Sequence, residues 1–167
     1  MRKRVEANDI LAINNLGNYY ANGTNGYPQA YDKALEYWHK AAELGYSAAY
    51  CAIGDAYDDG EGVEVDRKKA NHYWELAAMK GHARARYHLG CKELIVGNMN
   101  RALKHLIIAV RGGYARSLEI IQRMYKDGYA SKEDYTKALQ AYQVYLGEIK
   151  SKQRDEAAAF SDQYRYI

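Results

Sequence analysis

Asn14 and Asn18 stand one helical turn apart and so share a face. A carboxamide both donates and accepts hydrogen bonds, and two of them in register suit the backbone amides of an extended polypeptide without reading its side chains. Asp55, Arg84, Tyr87, His88 and Arg123 fall on the corresponding face further along, and the planar fork of Arg84 matches a carboxylate. Tyr19, Tyr50 and Tyr87 offer broad amphipathic contact area at low entropic cost. His88 and Cys91 are three apart, but two ligands without further spaced partners read as core packing, so neither a metal nor a cofactor is expected. No nucleophile, base and orienting group recur at a recognisable spacing, and no glycine-rich phosphate loop is present. The set suits recognition of a protein or peptide, and no catalysis is expected of it.

A repeat must position these residues. Leu16, Gly17, Tyr20 and Gly23 return 37 residues later as Ile53, Gly54, Tyr57 and Gly60, and a weaker copy starts at Leu89 and Gly90. A second phrase, Ala34, Trp38, Ala41, Ala42 and Gly45, returns after 36 residues as Ala70, Trp74, Ala77, Ala78 and Gly81. A period of this length marks an array in which each unit buries its face against the next. Apolar steps of three and four, as in Ile10, Ile13, Leu16 and Tyr20, predict a first helix over about residues 9–22, closed by Gly23. Second helices are expected to open near Asp32 and Asp66, whose carboxylates could cap exposed N–H groups, and to close at Gly45, Gly81 and Gly113.

The third copy is short: Ala70 to Ala102 spans 32 residues, with Gly97 and Asn98 in a tight turn. Ile121, Tyr125 and Gly128 begin a fourth, whose second helix opens at Ser131 and Asp134 and carries Ala138 and Tyr142 in the alanine and tryptophan places. The expected fold is all-α, a right-handed α-solenoid forming one domain over residues 1–167. Its repeats span about 8–45, 46–81, 82–113 and 114–147, followed by a capping helix at 148–160 and a tail at 161–167 with Tyr164, Tyr166 and Ile167 folded back. In such a solenoid the first helices line the concave side. Asn18, Asp55, Cys91 and Arg123 share one phase there and differ among the copies, so the array presents four different surfaces.

Composition agrees. Apolar residues make up 48% and charged ones 27%, which is globular, and a single proline favours helices over sheet. The net charge of +3 is spread among acidic neighbours, so no strip suited to a phosphate backbone forms and no nucleic-acid partner is expected. The basic residues at 1–4 read as a solubilising terminus. No apolar leader follows them, and Leu106 to Val110 is too short for a membrane span. A soluble intracellular protein, cytoplasmic or nuclear, with two buried reduced thiols at Cys51 and Cys91 is the expectation. A homo-oligomer built through a tyrosine-bearing surface or end-to-end stacking is the alternative to peptide binding.

Ala49 to Gly60 (AYCAIGDAYDDG), followed by Glu61, Gly62, Val63, Asp66, Lys69, Ala70, Tyr73, Trp74, Ala77, Ala78 and Gly81, resembles a nearly complete Sel-1-like repeat, a tetratricopeptide-like helical unit. The resemblance covers about residues 8–147 and implies scaffolding in complexes such as ubiquitin ligases and quality-control machinery. KRVEAND, RALKHLIIAVRGGY and the stretch from Ser131 to Ser151 resemble the repeat portion of RING-bearing ubiquitin-ligase-like proteins of this family. Two cysteines cannot build a RING, so at most the recognition portion of such a ligase is implied. The secreted branch of the family pairs cysteines within each unit, which this chain does not. Asn18 and Arg84 also match the carboxylate clamp of tetratricopeptide domains, whereas Asn14, Ala52 and His88 depart from it.

Overall fold

The computed structural model describes residues 2–163, so the expected folding back of Tyr164, Tyr166 and Ile167 lies outside the described residues. Every regular element among the described residues is a helix: α1 (Arg2–Glu6), α2 (Ile10–Asn22), α3 (Tyr31–Glu43), α4 (Ser47–Asp59), α5 (Arg67–Met79), α6 (Ala83–Ile95), α7 (Met99–Arg111), α8 (Arg116–Lys126) and α9 (Lys132–Gln163). They divide into two compact units. The first runs to Leu89 and the second begins at Gly90, so α6 starts in one and ends in the other.

In the first unit α2 packs on α3, α3 on α4 and α4 on α5. Ile13, Ala34, Trp38, Ala41, Ala49 and Ile53 form one core cluster, and Cys51, Ala70, Trp74, Ala77, Ala85 and Leu89 form the next. Burying Ile13 or Ile53 contributes about 1.5 to 3 kcal/mol each. Small residues set the spacing. A Cβ at Gly17 would lie 2.6 Å from Trp38 Cδ1, and one at Gly54 would lie 2.5 Å from Trp74 Cδ1, so the indole rests directly on helix backbone. The tyrosines of the packing phase also pair in register: Tyr20 stacks on Tyr37 at 5.8 Å and Tyr57 on Tyr73 at 5.7 Å. Lys33 and Lys69 lie over the rings of Tyr20 and Tyr57.

Two of the helix starts are capped by an aspartate, and one expected cap is not. Asp9 caps α2 by accepting from Ala12 N–H, and Asp66 caps α5 through Lys68 and Lys69 N–H. Asp32, by contrast, is already inside the first turn of α3; the cap position is Ala30, which has no side-chain oxygen. Gly45, Gly81 and Gly113 close second helices with φ of +90°, +81° and +84°.

In the second unit α7, α8 and α9 pack on one another around Leu106, Ala109, Val110, Ile121 and Ala138. Ser131 and Asp134 form the expected reciprocal capping box, Asp134 N–H donating to Ser131 Oγ at 3.0 Å and Ser131 N–H to Asp134 Oδ2 at 3.1 Å. From there α9 runs unbroken to Gln163, so residues 148–160 continue the second helix of the fourth repeat where the fading pattern suggested a separate capping helix and then a tail from 161. Gly147 has no left-handed φ, and the charged helix-forming residues after it carry the helix on.

Candidate functional site

A buried indole N–H needs an acceptor, and the close seat of each tryptophan on glycine leaves the next residue of the first helix to supply it. Trp38 Nε1 donates to Asn18 Oδ1 at 2.9 Å, and Trp74 Nε1 donates to Asp55 Oδ1 at the same 2.9 Å. Where the third copy has Leu106 in the tryptophan place there is no N–H, and the residue after Gly90 is Cys91. The differences at this phase therefore partly obey packing: an acceptor stands where the partner is tryptophan.

Asp55 is the centre of a denser network. Its Oδ2 lies 2.6 Å from Arg84 Nη2, and its Oδ1 lies 3.4 Å from His88 Nε2. The His88 ring stacks face to face on Trp74 with centroids 4.7 Å apart, and Tyr87 meets it edge-on at 5.5 Å. Burial raises the Asp55 carboxyl to about 6, against the opposing pull of Arg84 and the Trp74 N–H. Burial, then repulsion from Arg84, lowers His88 to about 4, so its imidazole is neutral at pH 7. Burial, then the Asp55 charge, pushes the Cys51 thiol up to about 12. That thiol is a poor nucleophile.

Beside this network opens a pocket of about 290 Å³, lined by Asn18, Ala21, Asn22, Tyr31, Trp38, Ala52, Asp55, Asp59, Glu61 and Arg84. Its rim is fixed by the Tyr31 hydroxyl donating to Glu61 Oε1 at 2.8 Å, while Gln29 Nε2 donates to Ala21 O at 2.9 Å. The lining holds three carboxylates and one arginine, and that arginine is on Asp55.

The structure thus brings Asn18, Asp55 and Arg84 to one pocket, with His88 and Tyr87 joined to it through Asp55 and Trp74. Asn14 is apart from them: it is only 6% exposed, and its Oδ1 has no hydrogen-bond partner. It cannot pair with Asn18 as a surface grip. The Arg84 fork, read from sequence as open to a partner's carboxylate, holds an internal one. His88 groups with Cys51 and Asp55, and Cys91 is half-buried where burial was expected. Arg123 belongs to the second unit, where it lines an apolar pocket of about 210 Å³ with Leu94, Met99, Ile120, Met124, Asp127 and Tyr129. Cys51, Tyr31, Asp59 and Glu61 were missed as site residues. Cys51 and Asp55 were findable as an i, i+4 pair on one helix, whereas Tyr31 and Glu61 meet across 30 residues with no local signal.

Successive helix–turn–helix units, packed through alanine and tryptophan and closed by left-handed glycines, define a tetratricopeptide-like helical-repeat protein. Residues 10–46 and 47–82 each match the Sel1 repeat. The chain is a Sel1-like repeat protein. It is similar to a Sel1 repeat protein from Oxalobacter formigenes, at 32% identity and a TM-score of 0.74, over 88% of this chain and 62% of that one. It is also similar to a protective antigen of uropathogenic Escherichia coli strains that displays an SLR fold, at 25% identity and a TM-score of 0.71, over 91% of this chain and 36% of that one. The chain therefore spans less than two thirds of either relative. Sel1 repeats are in general protein-interaction modules, and proteins of this fold are typically non-catalytic scaffolds. No helix among the described residues is long and apolar enough to cross a membrane.

Proposed function

We propose that this chain is a non-catalytic scaffold that holds an extended polypeptide segment on the first-helix face of its first unit, and that the segment places a lysine or arginine in the pocket beside Asp55. The sign of the pocket carries this reading. Arg84 balances Asp55, which leaves Asp59 and Glu61 without a matching cation among the lining residues. A basic side chain answers that charge, and its apolar stem suits the Tyr31 and Trp38 walls. With Asn18 Oδ1 on Trp38 and Asn22 Nδ2 on Asn18 O, the remaining Asn18 Nδ2 donor and Asn22 Oδ1 acceptor would meet the segment's backbone. The carboxylate-terminated ligand that Arg84 suggested is disfavoured by the same count. In a larger assembly this would be the recognition part of a ubiquitin-ligase or quality-control complex.

Fluorescence anisotropy of a labelled alternating Ala-Lys decapeptide and its Ala-Glu counterpart tests the reading. The lysine peptide is expected to bind at least about tenfold tighter, weakening with salt and with Glu61→Lys. Equal affinity for both peptides, or a lysine peptide indifferent to Glu61→Lys, would overturn it.

A second reading has support in the other unit, where Ile95 is 87% exposed and Val96 58%, next in sequence to Leu94 of the apolar pocket. Exposed aliphatics of this size suit self-association. Light scattering over a concentration range decides: a dimer abolished by Ile95→Asp supports it, and a monomer throughout excludes it.

A further inference from the structure

We propose that Cys51, Asp55 and His88 form a binding site for a divalent transition-metal ion of the zinc type. Cys51 and Asp55 lie one turn apart on α4, and His88 comes from α6; one ligand atom from each falls within 4.8 Å of the others. Tetrahedral zinc with sulfur at about 2.3 Å and nitrogen or oxygen at about 2.0 Å holds its ligand atoms roughly 3.3 to 3.8 Å apart. The 3.4 Å between His88 Nε2 and Asp55 Oδ1 already meets that, and closing the rest takes about an ångström of side-chain movement. Thiolate, imidazole and carboxylate together are a borderline-soft donor set, which favours zinc over magnesium or calcium.

Three further observations fit. His88 Nε2 is buried without a hydrogen-bond partner, though it faces a carboxylate oxygen. Buried polar atoms of this kind are rare unless something else completes them. Two of the ligands are also held in place by one side chain, since Trp74 donates to Asp55 Oδ1 and stacks on His88, as outer-shell groups do around metals. Opposing them is Arg84, whose guanidinium already supplies a positive charge at Asp55 Oδ2. Its side chain is 42% exposed and also bonds the Cys51 thiol, so metal and Arg84 would compete for the same two ligands. The site shares Asp55 and Arg84 with the pocket of the peptide reading, but its ligand and its readout are different, so the two can fail separately.

Titration of the purified, reduced chain with Co²⁺, followed by back-titration with Zn²⁺, tests the assignment. One equivalent of Co²⁺ should give visible bands with a thiolate charge-transfer band that Zn²⁺ abolishes. Cys51→Ser should remove the charge-transfer band, His88→Gln should weaken binding at least about tenfold, and Cys91→Ser should change neither. Arg84→Gln should tighten binding by about tenfold, because a neighbouring cation is gone. His88→Gln, at a half-buried position, keeps the test open should Cys51→Ser unfold. No thiolate band in the wild-type chain, or a band that persists in His88→Gln and disappears in Cys91→Ser, would overturn the proposal.

Discussion

Replacing Asp55 separates the packing role of this position from its charge. Asp55→Ala leaves the Trp74 indole N–H buried without its acceptor at 2.9 Å. An unsatisfied buried donor costs about 1 to 3 kcal/mol. Asp55→Asn keeps an acceptor in place, and the first repeat already shows that an asparagine there serves: Asn18 accepts the Trp38 N–H at the same distance. The asparagine variant loses the Arg84 ion pair, but it also loses the cost of burying a carboxylate, and such terms largely cancel. Its stability should therefore stay within about 1 kcal/mol of wild type at pH 7.5, with Asp55→Ala about 1 to 3 kcal/mol below. Urea unfolding followed by far-UV circular dichroism measures both without relying on tryptophan emission. Combined with Trp74→Phe, the cycle isolates the contact, and a coupling of about 1 kcal/mol or more is expected. If Asp55→Asn costs as much as Asp55→Ala, or the coupling is below about 0.5 kcal/mol, the indole bond is not what holds the position.

Other consequences follow from the same geometry. Gly54→Ala should cost about 1 to 3 kcal/mol because its Cβ would fall 2.5 Å from Trp74 Cδ1, while Gly147→Ala, with open space around it, should be neutral or slightly stabilising by thermal melting. His82 accepts the Ala85 N–H through Nδ1 at 3.3 Å, and burial, then the charges of Arg84 and His88, lowers it to about 4. Its folded value lies below the unfolded 6.5, so the unfolded chain takes up the proton first. The stability it contributes is complete above pH 6.5 and is lost as the pH falls towards 4. After discounting for solvent screening this loss is about 1 to 2 kcal/mol. His82→Asn, which can still cap α6, should flatten that part of a pH–stability curve, leaving the share of His88 and the opposite one of Asp55.

Much of the fold was legible because its determinants are local. The steps of three and four, the glycines after each helix, Asp66 as a cap and the Ser131–Asp134 box all act within a few residues of where they are read. The repeat itself revealed the alanine and tryptophan seats. Asp32 misled because a carboxylate near a helix start looks alike at the cap and two residues further in. The site was half legible. Periodicity placed Asn18, Asp55 and Arg84 on one face, but it could not show that Asp55 would take the Arg84 fork, or that Asn14 would turn inward. Those outcomes depend on side-chain reach across helices. The Asn18–Trp38 and Asp55–Trp74 pairs did leave a trace, since the acceptor disappears in the copy where leucine replaces tryptophan.

Selection from a random peptide display library, run in parallel on the wild-type chain and on the Asp59→Lys, Glu61→Lys double variant, tests the central claim most directly. Both positions line the pocket without belonging to the core, so the fold should persist. The account predicts lysine- and arginine-bearing sequences from the wild type and their loss, or replacement by acidic sequences, in the variant. The same sequences from both proteins, or acidic ones from the wild type, would contradict it.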